Sequence, residues 1–225
     1  MKSALLCFAL CLGCAAARAD ILLYDNSTTD TLDTILYSTG PYTALGDQIH
    51  LVSAGIATQA KVQLYNNGQA GVFDAELDFF SAGSPVGSPF GTFHVAGIAS
   101  AGSDVIDVTF ALGAGLAVPQ DLVFTVSVSN WSANMDLGLN MFEPPAAGTS
   151  DPSFLIAAVS GTSFSQLRTN GENVYFQLSG STGVAAAPEP GTSALLGIGL
   201  LAWRFRVWSG RRSAAGTSKA ASASF

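Results

Sequence analysis

VFDAELDFF, residues 72–80, alternates without a break. Phe73, Ala75, Leu77 and Phe79 fall on one side of an extended chain, and Asp74, Glu76 and Asp78 on the other. A helix would scatter both sets around its circumference. A strand with one face buried and one face wet separates them. AKVQLY (60–65) has the same period: Ala60, Val62 and Leu64 oppose Lys61, Gln63 and Tyr65. In DLVFTVSVS (121–129), Leu122, Phe124, Val126 and Val128 oppose Val123, Thr125, Ser127 and Ser129. Shorter candidate strands are Ile21–Tyr24, Gln48–Val52, Gly91–Val95, Val105–Phe110, Leu137–Phe142, Phe154–Ala157 and Asn173–Leu178. Turn-like residues punctuate them at NNGQAG (66–71), SAGSPVGSPFG (81–91), ALGAGLAVPQ (111–120) and EPPAAGTSDPS (143–153). Roughly ten short strands with no long amphipathic helix predict an all-β fold. The expected architecture is an antiparallel β-sandwich, jelly-roll-like or Ig-like, over residues 20–180.

Composition agrees. Of 225 residues, 24 are Gly and 14 Phe; charged residues are 11% and hydrophobic ones 48%, too apolar for a disordered chain. The net charge of −7 conceals a division. From Asp20 to Ala187, fifteen acids face two basic residues, Lys61 and Arg168, a net of −13. Such a body repels nucleic acid and anionic lipid, and attracts cations or cationic polymers. Five of the nine basic residues follow residue 203.

Residues 1–19, MKSALLCFALCLGCAAARA, have the form of a signal peptide: Lys2, an apolar run over Ala4–Cys14, then Ala17-Arg18-Ala19. Cleavage is expected between Ala19 and Asp20. The alternative is a lipoprotein box, CLGC, ending at Cys14. All three cysteines lie in this leader, so a chain starting at Asp20 carries no thiol and no disulfide.

At the other end, residues 181–191 form a small-residue linker containing Pro188-Glu189-Pro190. A hydrophobic segment and basic cluster follow over 192–212, with Arg204, Arg206, Arg211 and Arg212, and then a polar tail over 213–225. The prolines hold an extended segment. The apolar run enters a membrane, and the arginines stop it on the cytoplasmic side. This order resembles the PEP-CTERM sorting signal of Gram-negative bacteria. The resemblance implies an exosortase-type processing enzyme as partner, transient residence at the inner membrane, and delivery to the cell surface or beyond. It also implies association with exopolysaccharide or biofilm. Two features depart from the pattern. Thr192–Trp203 is 12 residues, about 18 Å as helix against roughly 30 Å of hydrocarbon. Ser213–Phe225 extends beyond the usual end. Within the body, LYDNSTTDT (23–31), LGDQIHL (45–51), TQAKVQLYNNG (58–68) and DAELDFF (74–80) are similar to choice-of-anchor surface domains. That resemblance implies architecture and no particular chemistry.

Candidate sites in the body are few. Asp74, Glu76 and Asp78 project from one face at about 7 Å intervals, which suits a solvated face that deters edge pairing, a calcium site, or an acid/base pair. Calcium is the one cofactor they suggest; otherwise none is expected. His50 and His94 are the only histidines, no G-x-S-x-G occurs, and no catalytic residues are expected. GIGLLA (197–202) has dinucleotide-loop glycines without the surrounding strand and helix. Trp131, in SNWSANMD (129–136), with Tyr24, Tyr42, Tyr65 and Phe90, would stack on sugar rings if several were exposed together, and would otherwise be core. The leading expectation is a non-enzymatic surface or matrix protein. A carbohydrate-binding module is the alternative, and an extracellular hydrolase is disfavoured.

Overall fold

The computed structural model describes residues 20–40, 42–82, 88–151, 154–160, 163–168 and 171–182. The signal peptide, the Pro-Glu-Pro segment and everything beyond lie outside these described residues. So do residues 83–87 of the predicted turn at 81–91.

Twelve strands occupy the described chain: β1 (Ile21–Asn26), β2 (Asp30–Leu36), β3 (Ala44–His50), β4 (Gly55–Ser81), β5 (Gly91–Val118), β6 (Asp121–Ser129), β7 (Leu137–Phe142), β8 (Thr149–Ser150), β9 (Phe154–Ser160), β10 (Ser163–Arg168), β11 (Asn173–Val174) and β12 (Phe176–Thr182). One turn of 3-10 helix, Tyr37–Thr39, is the only helical element among them. Every strand pairing is antiparallel.

Two layers share one ribbon. The first half of β4 pairs with β12, which pairs with β1; a few residues on, β4 pairs with β7, which carries β2 and β11. The second half of β4 pairs with β6, and the order continues through β3 and β9 to β10. β5 follows β4 through both layers. The layers meet face to face at Phe124 of β6 and Phe176 of β12, whose rings stack at 3.8 Å and 11°. Phe79 and Tyr24 close on Phe176 at 6.3 and 6.1 Å. All four are buried. The sandwich expected from the alternation is therefore present as two faces of one continuous hydrogen-bonded network.

Burial along β4 follows the alternation read from the sequence and changes phase with it. Ala60, Val62 and Leu64 are buried at even positions; Phe73, Ala75, Leu77 and Phe79 at odd ones. The phase resets at NNGQAG, which the sequence presented as a turn. In the structure it is a bulge inside a strand, where β4 advances from Asn66 to Gln69 while β5 retreats only from Asp104 to Gly102. Asn66 has no exposed surface and holds the bend. Its Nδ2 donates to the Gln69 carbonyl (2.8 Å) and to Ser100 Oγ (2.7 Å), and its Oδ1 accepts the N–H of Gly68 (2.9 Å) and of Asp136 (3.2 Å). Gly68 is required by close approach: a Cβ there would lie 2.3 Å from the Asn134 carbonyl oxygen. Of the predicted turn at 111–120, residues 111–118 are likewise absorbed into β5, and Pro119 and Gln120 join β5 to β6. Between Ala111 and Leu116, β5 advances five residues against two on β4, and Gly113 and Gly115 take φ of 64° and 104° to do so.

β2, β8 and β10 were not anticipated. β2 has little alternation to display: of its residues Thr31, Thr34, Ile35 and Leu36 are half-buried and the rest exposed. A smaller apolar cluster, Phe80, Val123 and Ile156 with Phe164 against it, sits apart from the main core and accounts for Val123 among the polar positions of β6.

Candidate functional site

The sequence-predicted residues fall in separate places. Asp74, Glu76 and Asp78 do share one half-buried face of β4, above buried Phe73, Ala75, Leu77 and Phe79. Two of the three carboxylates are bound to different partners. Asp74 accepts the Gly97 N–H (2.8 Å) and the Asn130 side-chain amide (2.7 Å), and those bonds, Asn130 first, hold its pKa below the ordinary range. Asp78 accepts the Thr92 hydroxyl at 2.5 Å. Among the described residues no group of three or more His, Cys, Asp and Glu side chains is placed to hold a metal ion.

Trp131 is 38% exposed and meets the buried Tyr37 edge-on at 6.3 Å. Phe90 is equally exposed and stacks on Phe79 at 6.2 Å. The chain beside Trp131 bonds to β4 at Val72, and Phe90 bonds to β4 at Phe79. Seven strand positions separate those points, on the order of 20 Å. Tyr24 is buried, and Tyr42 packs against the core. These aromatics do not gather into a stacking platform. His50 and His94 both lie on the surface. His50 Nδ1 and Asp121 Oδ1 are 2.6 Å apart, and Gln120 Nε2 and His50 Nε2 3.1 Å. His94 lies 4.0 Å from Asp74. Val174, Phe176 and Leu178 are buried, but so are Asn173 and Tyr175, and the expected strand Asn173–Leu178 divides at Tyr175 into β11 and β12. Asp20, the expected first residue of the exported chain, is exposed, with Thr58 Oγ1 donating to its carboxylate at 3.1 Å.

One arrangement was not foreseen. β3 pairs with β9 from Ala44 to Gly46 and with β8 at Ile49 and His50. Over that interval β3 advances three residues, from Gly46 to Ile49, while its partner runs from Ile156 to Ser150. Among the described residues, Asp47 and Gln48 have no ladder partner on this side. A cleft of about 240 Å³ opens at the gap, with Asp47, Asp121, Asp151, His50 and Ser150 on its walls. Asp47 is 2% exposed. Its Oδ1 accepts the Gln48 N–H at 2.7 Å, and its Oδ2 is buried without a hydrogen-bond partner. Burial pushes its pKa well above the ordinary carboxylate value; the Gln48 N–H opposes this, and the charges of Asp151 and Glu143 add to it. Beside it, the Tyr24 hydroxyl and Ser150 Oγ are 3.0 Å apart. The sequence did carry a signal: Asp47 is in phase with Leu45, Ile49 and Leu51, a carboxylate at an inward position of a strand.

Residues 186–212 match the family model described as PEP-CTERM protein-sorting motif. The chain thus carries this sorting signal at the position the sequence indicated. The motif implies export and cell-surface or extracellular delivery by an exosortase-type enzyme. No curated protein and no solved structure matches the chain.

Proposed function

We propose that this is a non-enzymatic component of the cell surface or extracellular matrix, delivered by exosortase-type processing at Pro188-Glu189-Pro190 and associated with exopolysaccharide. The observation that carries this reading is the sorting motif over residues 186–212. An acidic sandwich body ahead of it supports a role in contact and display. The test is to change Pro188-Glu189-Pro190 to three alanines, leaving the apolar run and arginines intact. Fractionation and intact-mass analysis in the producing cell should find that chain unprocessed at the inner membrane, whereas deletion of 192–225 should release it soluble. Normal cutting and delivery of the triple-alanine chain would reduce the motif to a linker and overturn the reading.

A further inference from the structure

We propose that Leu32, at the tip of a bulge in β2, is an apolar knob that seats in a hollow of a second, different protein, with Asp30 and Asp33 meeting basic groups on the rim of that hollow. This contact rests on the surface role proposed above, and no step of its test passes through the tail.

The backbone sets Leu32 apart. Among the described residues three that are not glycine take a positive φ: Ser103 (52°), Asn130 (53°) and Leu32 (64°). A short polar side chain such as that of Asn130 can bond locally to offset this conformation, and a leucine cannot. Burial gives Leu32 nothing in return. It is 88% exposed, against 54% for Val105, the next most exposed large hydrophobic among the described residues.

The fold fixes this conformation from both sides. Between Asp30 opposite Phe142 and Thr34 opposite Asn140, β2 advances four residues against two on β7, and the excess is pushed out of the ladder. The Asp30 carboxylate accepts the Leu32 N–H at 2.8 Å. The Thr31 hydroxyl donates to the Met141 carbonyl (2.8 Å), and the Thr34 hydroxyl to Asn140 Oδ1 (2.9 Å). A strained backbone held in place to carry an aliphatic side chain into water has no return within the fold. The return comes on binding.

Charge and shape choose the occupant. Asp30 and Asp33 are exposed in the same bulge and flank the leucine, so the surface that receives them is basic. A second copy does not supply it, since from Asp20 to Ala187 fifteen acids face only Lys61 and Arg168. Anionic lipid repels the same carboxylates. A flexible polycation would satisfy them and leave the leucine wet. An aliphatic knob needs a concave apolar site, which a folded protein provides.

The test is photo-crosslinking. Purified full-length protein, with a benzophenone amino acid in place of the exposed Thr28 beside the bulge, is mixed with envelope proteins of the producing cell and irradiated. Because the chain is added from outside, a failure of sorting does not enter. One discrete adduct with another protein is expected, crosslinked at a surface bearing Lys or Arg, and absent when the benzophenone replaces Val105. The adduct should fall about tenfold or more in Leu32→Asn and in Asp30→Asn with Asp33→Asn, and should weaken as salt rises from about 0.05 to about 0.5 M. Asn at 30 keeps an acceptor for the Leu32 N–H, so the double variant removes charge and leaves the bulge. Asn at 32 tolerates the positive φ, so Leu32→Asn should leave the Tm unchanged or raise it. A lower Tm would make Leu32 a structural residue and overturn the proposal. So would no adduct, an adduct unchanged in either variant, a crosslink to an acidic surface, or an adduct with lipid or with a second copy of this chain.

Discussion

Replacing Asp47 by Asn should change how stability depends on pH. Asp47 is 2% exposed, and only one of its oxygens has a partner. Its pKa is raised by burial, so the folded chain holds this proton more tightly than the unfolded chain, whose Asp titrates near about 3.9. Below that value both states are protonated and the contribution is fully present. As pH rises toward the folded pKa, each unit removes up to about 1.4 kcal/mol. Asn preserves the acceptor for the Gln48 N–H and cannot titrate. As pH rises from about 4, Asp47→Asn should therefore gain on the wild type, by no more than about 1.4 kcal/mol per pH unit, until the folded pKa is passed. Each such unit corresponds to a relative Tm rise of roughly 3–6 °C at most for a body of this size. Asp121, Asp151, Glu143, His50 and Tyr24, the other titratable groups around it, are common to both chains, so the difference curve isolates Asp47. Calorimetric melts across that range provide the assay. Parallel curves, or an advantage that shrinks as pH rises, would refute the reasoning and mean that the carboxylate is ionised and paired in the fold.

Removing either ring of the Phe124–Phe176 stack by alanine should cost about 3–5 kcal/mol, and a double-mutant cycle should show about 0.5–1.5 kcal/mol of coupling, read from denaturant midpoints. Asn66→Ala should cost about 2–3 kcal/mol and accelerate hydrogen exchange at the Gly68 and Asp136 amides, which donate to its carbonyl oxygen. If Asp74, Glu76 and Asp78 serve as a solvated face, millimolar calcium should leave the Tm unmoved. A shift equivalent to about 2.7 kcal/mol at hundredfold excess, lost in Glu76→Gln with Asp78→Asn, would make them a calcium site. Sequencing the exported protein should find Asp20 first; a lipidated Cys14 would replace that reading.

The alternation of residues 72–80 was enough to place Phe73, Ala75, Leu77 and Phe79 in the core, because inward and outward positions are a local property of an extended chain. NNGQAG was misread for an equally local reason. Asn and Gly favour turns, and the sequence does not reveal that the backbone at Asn134 and Asp136 bonds to Asn67 and Gln69 and converts the turn into a bulge. The cleft depends on a change of strand partner, from β9 to β8, that joins residues about a hundred positions apart. Asp47's place in the apolar phase was visible; the change of ladder partner beside it was not. The tail needed no tertiary context, since a processing enzyme reads it as a linear segment.

β12 reaches Thr182 on the side of the body where β1 begins, with Ile21 opposite Gly180. Tension entering through Thr182 therefore acts along the axis of β12. Both edges of that strand are bonded, to β1 and to β4, so its rungs resist together in shear rather than opening singly like a zipper. At the far end Phe176 is clamped against Phe124. Resistance to forced unfolding is governed by the unfolding rate rather than by equilibrium stability. A body tethered at this point and dragged by flow would be loaded through a strand whose two ladders, to β1 and β4, share the pull.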